Sequence, residues 1–349
     1  MEAPVGQQGY AGASEAASPR GLLSAFRLDA RGGGRETDRD EIGRDPLGSK
    51  AKGDLWIHLD RTAPETDRWL TGTARVPEQA VEALLAEDPR PRFIHFPADE
   101  THPEGFVLIL RGVNLNPNAD PENMVAVRLW VDANRVISMR RRKLLAEDVL
   151  GAALRAGKGP LNSADLVTHL ASAMMDRIDA VVDELEGELD DAETRLEEAA
   201  LQGVRTQIGE IRRSTVRLKR YLAPQRDIML RAAAEWPAWI NKRDRLRLRA
   251  RAERMARVVE DIDELITRAG FAHDELHARL TERMNRSNVA LTTVATVFLP
   301  MGLVASMWGM NTGNLPFTED GGGFWAVTGV ILLFGAALAW FAWKMARIQ

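Results

Sequence analysis

The sequence predicts an α/β (α+β) N-terminal cytoplasmic domain, then long stalk helices, then two C-terminal transmembrane helices. Three observations carry that expectation. Two apolar stretches near the C-terminus, Val289–Trp308 and Phe324–Trp343, contain no Asp, Glu, Lys, Arg or His. From Ser163 onward, apolar residues recur every three or four positions over many turns. Before that, short apolar runs separated by turn residues give a mixed strand and helix pattern. The expected limits are 1–20 for a disordered tail, 21–160 for the α/β domain, 161–287 for the stalk and 288–349 for the membrane domain. Within the last, the spans are placed at 289–308 and 324–343, with an external loop at 309–323.

In chain order, Met1 to Arg20 is rich in Gly, Ala and Ser without apolar periodicity, the composition of a disordered segment. Leu55–Leu59, Phe106–Arg111 and Met124–Val131 read as strands, with helices such as Pro77–Ala86 between them. Asp132-Ala133-Asn134 makes a turn and Val136–Arg140 the returning strand of a hairpin. A first long helix carries Leu166, Leu170, Met174, Ile178, Val181, Leu185, Leu189 and Leu196 and is expected to end at Gly203. The next begins at Val204, continues through Leu218 and Leu222, and breaks at Trp236-Pro237. A third is expected from Ala238 and meets no proline before Pro300, so it can run unbroken into the first apolar stretch.

Each apolar stretch holds about 20 residues, which at helical rise matches the roughly 30 Å hydrocarbon core of a bilayer. Arg279, Arg283 and Arg286 precede the first, and Lys344 and Arg347 follow the second, whereas the loop between them carries Glu319 and Asp320 and no Lys or Arg. This charge bias puts both termini in the cytoplasm and the loop outside. Trp308, Phe317, Trp325, Trp340 and Trp343, near the span ends, read as interfacial anchors. With 28% charged residues and a mean hydropathy of −0.24, most of the chain is expected in the cytosol. No basic segment leads into an apolar core at the N-terminus, so no cleavable signal peptide is expected. The absence of Cys excludes disulfides and thiolate metal sites. A net charge of −4 does not point to nucleic acid as a partner.

Two helices alone enclose no aqueous path, so conduction would require several copies, each contributing one helix. The first span is the more polar. Stepping back from Asn311 along one face gives Ser306, Gly302, Leu299, Ala295, Leu291, Asn288 and Asn285. Such a stripe can line a pore, with apolar rings that gate by dewetting and amides that hydrogen-bond a hydrated ion. The span's Thr and Ser residues can equally serve helix–helix contacts in lipid, and both readings stay open. Gly309-Met310-Asn311 favours the pore. Gly309 removes side-chain bulk at the helix end, and Asn311 offers an amide oxygen beside backbone carbonyls. Divalent ions such as Mg²⁺ give up water reluctantly, so a filter of this kind would hold the hydrated ion through oxygens.

With this tripeptide after a span, a second span about a dozen residues later and a very long preceding helix, the chain resembles the CorA metal-ion transporter superfamily. The resemblance runs from about Leu22 to the end, is strongest over Met284–Asn311, and includes Pro300 within the span. It implies a funnel-shaped homopentamer in a bacterial-type inner (plasma) membrane, multi-pass, with long helices lining a central pore. Within the superfamily the chain looks like the ZntB-like zinc transporter branch, through Leu110–Pro117, Val125–Trp130 and Thr312–Pro316. That likeness implies proton-coupled Zn²⁺ uptake and no cofactor. Trp308 and Thr312 stand where magnesium channels of the family typically have Tyr and Phe. Zinc prefers Cys and His ligands, and the loop has neither, so the filter's chemistry predicts loose selection among Zn²⁺, Co²⁺, Ni²⁺, Cd²⁺ and Mg²⁺. Glu319 and Asp320 are either a negative rim that concentrates cations or ordinary solvated acids. Neither span holds an ionisable side chain to relay a proton.

His273 and His277 stand at i and i+4, a zinc-binding spacing on one helical face, but no third ligand is evident and a protease is rejected. Asp274 and His277 fall near the projected pore face, as an inner-mouth ring or as solvated stalk residues. No fixed metal site is assigned. Asp183–Glu198 is acidic and Lys242–Arg257 basic, and the two are expected to face each other across helices or subunits. An enzyme is not expected, because no nucleophile–base pair appears and Gly32-Gly33-Gly34 lacks a phosphate-loop context. The reading is therefore a divalent-cation transporter, with a Mg²⁺/Co²⁺ channel of the same fold and a membrane-anchored sensor or scaffold as the alternatives.

Overall fold

In the computed structural model of the chain, the described residues are 21–49, 53–64, 66–87, 90–198, 200–309 and 322–346. The expected tail at Met1–Arg20 lies outside them. Seven strands form one mixed sheet: β1 (Leu22–Leu28), β2 (Gly34–Glu36), β3 (Leu55–Asp60), β4 (Arg92–Phe96), β5 (Gly105–Gly112), β6 (Val125–Asp132) and β7 (Arg135–Arg140). Their spatial order is β2-β1-β3-β7-β6-β5-β4. Only β3 and β7 run parallel, in register from Leu55↔Arg135 to Asp60↔Arg140. The helices are α1 (Arg39–Arg44), α2 (Glu78–Leu85), α3 (Leu145–Arg155), α4 (Ser163–Glu197), α5 (Val204–Glu235), α6 (Lys242–Trp308) and α7 (Gly323–Ala346), with short helical turns at Thr66–Arg68 and Trp69–Thr73.

Strand side chains alternate between faces, and both faces of this sheet are covered. One presents Ile57, Leu59, Val107, Ile109, Trp130, Ile137 and Met139 to Trp69, Leu70, Ala80, Val81 and Leu84. The other buries Phe26, Trp56, Phe106, Leu108, Leu129 and Val136, and α4 and α5 lie against its strands. There Phe106 stacks on Trp236 and Trp239, with ring centroids 6.0 and 6.3 Å apart. Because both faces are buried, the central strands read as continuous apolar runs rather than as alternation.

The expected β6–β7 hairpin forms, and its turn supports a buried ion pair. Asp132 Oδ1 accepts from the Asn134 and Arg135 backbone N–H groups at 3.1 Å each. Its Oδ2 accepts from Arg135 Nε at 2.7 Å and from the Trp130 indole at 3.1 Å. The remaining Arg135 nitrogens donate to the Pro46 and Ala74 carbonyls, so a fully buried guanidinium is satisfied on every side. On the helix side, strand β4 pairs with β5 only as far as Ile109. Beyond that point Gln225 of α5 takes over the edge: its Oε1 accepts from the Arg111 N–H at 2.6 Å and its Nε2 donates to the Arg111 carbonyl at 3.1 Å. A side-chain amide here replaces a missing strand residue.

Helices α4 and α6 are stitched in parallel by ion pairs. Arg247 meets Asp165, Arg254 meets Asp176 and Asp179, and Arg268 meets Glu186, Asp190 and Glu193. The ion pairs among the described residues do not join the expected acidic and basic runs to each other, because the two are shifted along the helices. Arg254 finds its partners ahead of the acidic run, and the run itself is met by Arg268, beyond the basic one. Two expected boundaries differ. Helix α4 ends at Glu197, and Gly203 instead begins α5, in the left-handed region at φ 79°. Helix α6 starts at Lys242 rather than Ala238.

The start of α4 is sensitive to pH. Burial would raise the Asp165 carboxyl, but hydrogen bonds from His169 and the Leu161 N–H, with the charge of Arg247, outweigh it and hold it at about 2. The hydrogen bond to Asp165 raises His169 above its ordinary 6.5, against the lowering effect of burial. Protonated His169 therefore contributes its full stabilisation below 6.5, and the contribution is lost as pH rises through the raised value. Asp165 loses its part only as pH falls from 3.8 toward about 2. The thermal midpoint of the full-length protein is expected to fall as pH rises from 6.5 through the raised value, with His169→Gln flattening that slope. An unchanged slope in the variant would show that another group governs it.

Two compact units result, Met1–Ala272 and His273–Gln349. The first holds the sheet with α4, α5 and the start of α6, and the second holds the rest of α6 with α7.

Candidate functional site

Helix α6 is 67 residues long, or about 100 Å at about 1.5 Å per residue. Its C-terminal part and α7 are the two helices long and apolar enough to cross a membrane. Within the second unit they pack along one side of each. On α6 the partly covered residues are Thr293, Val297, Pro300, Met301, Val304 and Trp308. On α7, Gly335 is buried and Thr328, Ile331 and Leu338 are partly covered. The fit is closest at Gly335, where an added Cβ would lie 2.6 Å from Met301 Sδ, so any larger residue would require that thioether to move. Sequence reasoning missed this contact. Its signal was the pair of glycines Gly329 and Gly335 within the second apolar stretch.

Asn285, Asn288, Leu291, Ala295, Leu299, Gly302 and Ser306 are all exposed. At about 3.6 residues per turn they lie on the side of α6 opposite the face that α7 covers. A continuous stripe with two amides, a glycine and a hydroxyl is thus left without an intrachain partner face. The Thr296 hydroxyl is not part of it, since Oγ1 donates back to the Thr292 carbonyl at 2.8 Å. Pro300 has no N–H to return to the Thr296 carbonyl and sits on the covered side.

Helix α6 ends at Trp308, and the Gly309 N–H donates to the Ala305 and Ser306 carbonyls at 3.0 and 3.1 Å. The remaining carbonyls of the last turn carry the negative end of the helix dipole, which favours a cation at that end. Met310 and Asn311 lie outside the described residues, as do Glu319 and Asp320 of the loop. At the other end of α7, Lys344 Nζ stands 5.3 Å from the centre of the Trp340 ring, the geometry of a cation–aromatic anchor. Trp325 and Trp340 are exposed, as interfacial residues would be, while Trp308 is partly covered.

Toward the N-terminal side of the same unit, Asp274 and His277 are exposed and His273 is half-buried. Among the described residues, no group of three or more His, Asp or Glu side chains is arranged to hold a metal ion. In the first unit a cavity of 640 Å³ between α4 and α5 is lined by Glu122, Glu184, Glu188 and Glu210 with Arg213 and Arg217. Burial, then the charges of Glu184 and Glu210, push the Glu188 carboxyl up.

Comparison with known proteins places this geometry. The CorA-like Mg2+ transporter protein family matches residues 52–344. The divalent cation transporter CmaX of Pseudomonas aeruginosa is 36% identical over 338 residues, covering 97% of this chain and 99% of that one. The zinc transport protein ZntB of Pectobacterium atrosepticum is 34% identical over 321 residues, covering 92% and 94%. The solved full-length CmaX structure superposes with a TM-score of 0.79 over 94% of this chain and 97% of its own. The CorA magnesium transporter from Methanocaldococcus jannaschii, at 16% identity, shares the fold with a TM-score of 0.74 over 91% and 96%.

Proposed function

Because this chain belongs to the CorA-like Mg2+ transporter protein family and is a divalent-cation transporter of the CorA/ZntB type, we propose that its physiological cargo is Zn²⁺. The path is a central pore of a homopentamer in an inner (plasma) membrane with both termini cytoplasmic. The observation that carries this reading is the exposed stripe of α6 opposite the face that packs on α7. In a lipid-facing monomer, Asn285, Asn288, Gly302 and Ser306 would gain nothing from being aligned. In a ring of copies they line water. Gly309, Met310 and Asn311 serve as the filter, and Leu291, Ala295 and Leu299 as the apolar constriction that dewets when closed. Glu319 and Asp320 act as the outer cation-concentrating rim, and Asp274 and His277 stand at the inner mouth. The division at 161–287 for the stalk and 288–349 for the membrane domain is kept as the functional one.

Zinc as cargo is supported by the relatives named zinc transport proteins at 34% and 33% identity. The family's description names Mg²⁺, which makes Mg²⁺ the second reading. The test is uptake of Zn²⁺ and Mg²⁺ into liposomes holding the purified protein, with and without a proton gradient. Gradient-stimulated Zn²⁺ uptake is expected. Mg²⁺ uptake indifferent to the gradient would replace the zinc reading with the magnesium one.

A further inference from the structure

The filter and the membrane stripe offer a cation only oxygen ligands and apolar walls, which separate Zn²⁺ from Mg²⁺ poorly. Imidazole separates them well, because borderline ions such as Zn²⁺, Co²⁺ and Ni²⁺ take nitrogen ligands and Mg²⁺ does not. The chain has six His residues. Four are already tied to carboxylates: His58 to Glu147, His95 to Glu104, His102 to Asp99 and His169 to Asp165. The remaining two, His273 and His277, have no carboxylate partner among the described residues and touch each other instead. Their ring centroids are 4.6 Å apart with the planes at 73°.

Two nitrogens bound to one tetrahedral metal at about 2.0–2.1 Å stand roughly 3.4 Å apart, which requires rings about this close. The i, i+4 spacing on a continuous helix fixes both backbones, so only rotamer adjustment separates the observed pair from a bidentate one. The neighbouring acid Glu275 is engaged by Arg279, and Asp274 is exposed beside the pair. The pair lies 12 positions before Val289, or about 18 Å along the helix from the first span.

We propose that His273 and His277 form a two-imidazole site for a borderline divalent cation, which excludes Mg²⁺ and receives the ion on α6 at the cytoplasmic side once it has left the span. The proposal rests on the cation-transport reading above. Water completes the coordination, so the ion stays exchangeable, as a cargo must.

The test is a Co²⁺ titration of the full-length detergent-solubilised protein, prepared without a polyhistidine tag and followed by visible ligand-field absorption. A Co²⁺ band is expected that Zn²⁺ displaces and that about a hundredfold excess of Mg²⁺ does not. His273→Asn and His277→Asn are each expected to weaken that band's apparent affinity about tenfold or more. His277 is exposed and His273 half-buried, and a thermal melt of each variant confirms that it folds. Asn311→Ala is expected to retain the band. A double His variant that titrates like the unaltered protein, or displacement by Mg²⁺, overturns the proposal. If instead Asn311→Ala keeps full flux, the pore reading fails while the Co²⁺ titration still decides the imidazole site.

Discussion

Asn311→Ala is expected to abolish cation flux in reconstituted liposomes while leaving expression, span insertion and assembly unchanged. The argument is one of ligand count. A hydrogen bond between an amide and an ion's polarised water shell is a charge-assisted interaction of about 1.5–3 kcal/mol. Losing it lowers ion occupancy about tenfold or more per subunit. In a symmetric filter every copy loses its oxygen together, and the residual flux falls below detection. Asn311→Asp is the informative companion, since it keeps an oxygen, adds charge and is expected to retain ion binding while slowing release. A membrane-anchored scaffold would be indifferent to both changes. Flux in the Ala variant within about twofold of the unaltered protein sinks the filter assignment.

Arg135→Met has the largest expected effect on stability. Arg135 is completely buried at 0% exposure and Asp132 nearly so at 2%. Removing one partner of a buried pair strands the other, at a cost of about 3–5 kcal/mol. That corresponds to a fall of about 6–20 °C in the melting midpoint of a unit this size. The consequences spread, because Asp132 also holds the Trp130 indole and the turn amides of the β6–β7 hairpin. Arg135→Lys is expected to rescue little, since an ammonium cannot reach Asp132, Pro46 and Ala74 in the planar fork that guanidinium provides. A double change of Arg135→Met with Asp132→Asn should recover part of the loss. Thermal melting of the three variants separates the charge penalty from the packing term. A single Arg135→Met variant that melts with the unaltered protein would show that the pair is dispensable.

The sequence made the helices legible because their burial follows their period: Leu166, Leu170, Met174, Ile178 and Leu189 of α4 are all buried. The spans were legible for a simpler reason, the absence of any charge over two bilayer-length stretches. What escaped notice was wherever burial and polarity disagree. Strand β1 buries Arg27 among its apolar residues through Glu41 and Asp45, so its LLSAFRL run shows neither alternation nor a pure apolar stretch. Strand β4 is short, lies at the sheet edge and carries an exposed His95, features that do not distinguish it from a loop. Helix α3 spans three turns and buries only Ala146, Glu147, Leu150, Gly151 and Leu154, too brief a pattern to stand out. Buried charged residues such as Arg135, Asp132 and Asp165 were invisible for the same reason: charge reads as surface until its partners are known. The candidate site divides similarly. The stripe on α6 followed from helical spacing alone. That it lies opposite the α7 contact depended on Gly335 and Met301 meeting across two helices, which one chain's spacing does not encode.

The segments 289–308 of α6 and 324–343 of α7 carry no formal charge at all. Moving one elementary charge through a membrane potential releases about 2.3 kcal/mol per 100 mV. With nothing charged in either segment, the electric field has no handle on these helices. Voltage is then expected to drive the ion without triggering opening, so that flux scales with potential while the open fraction does not change with it.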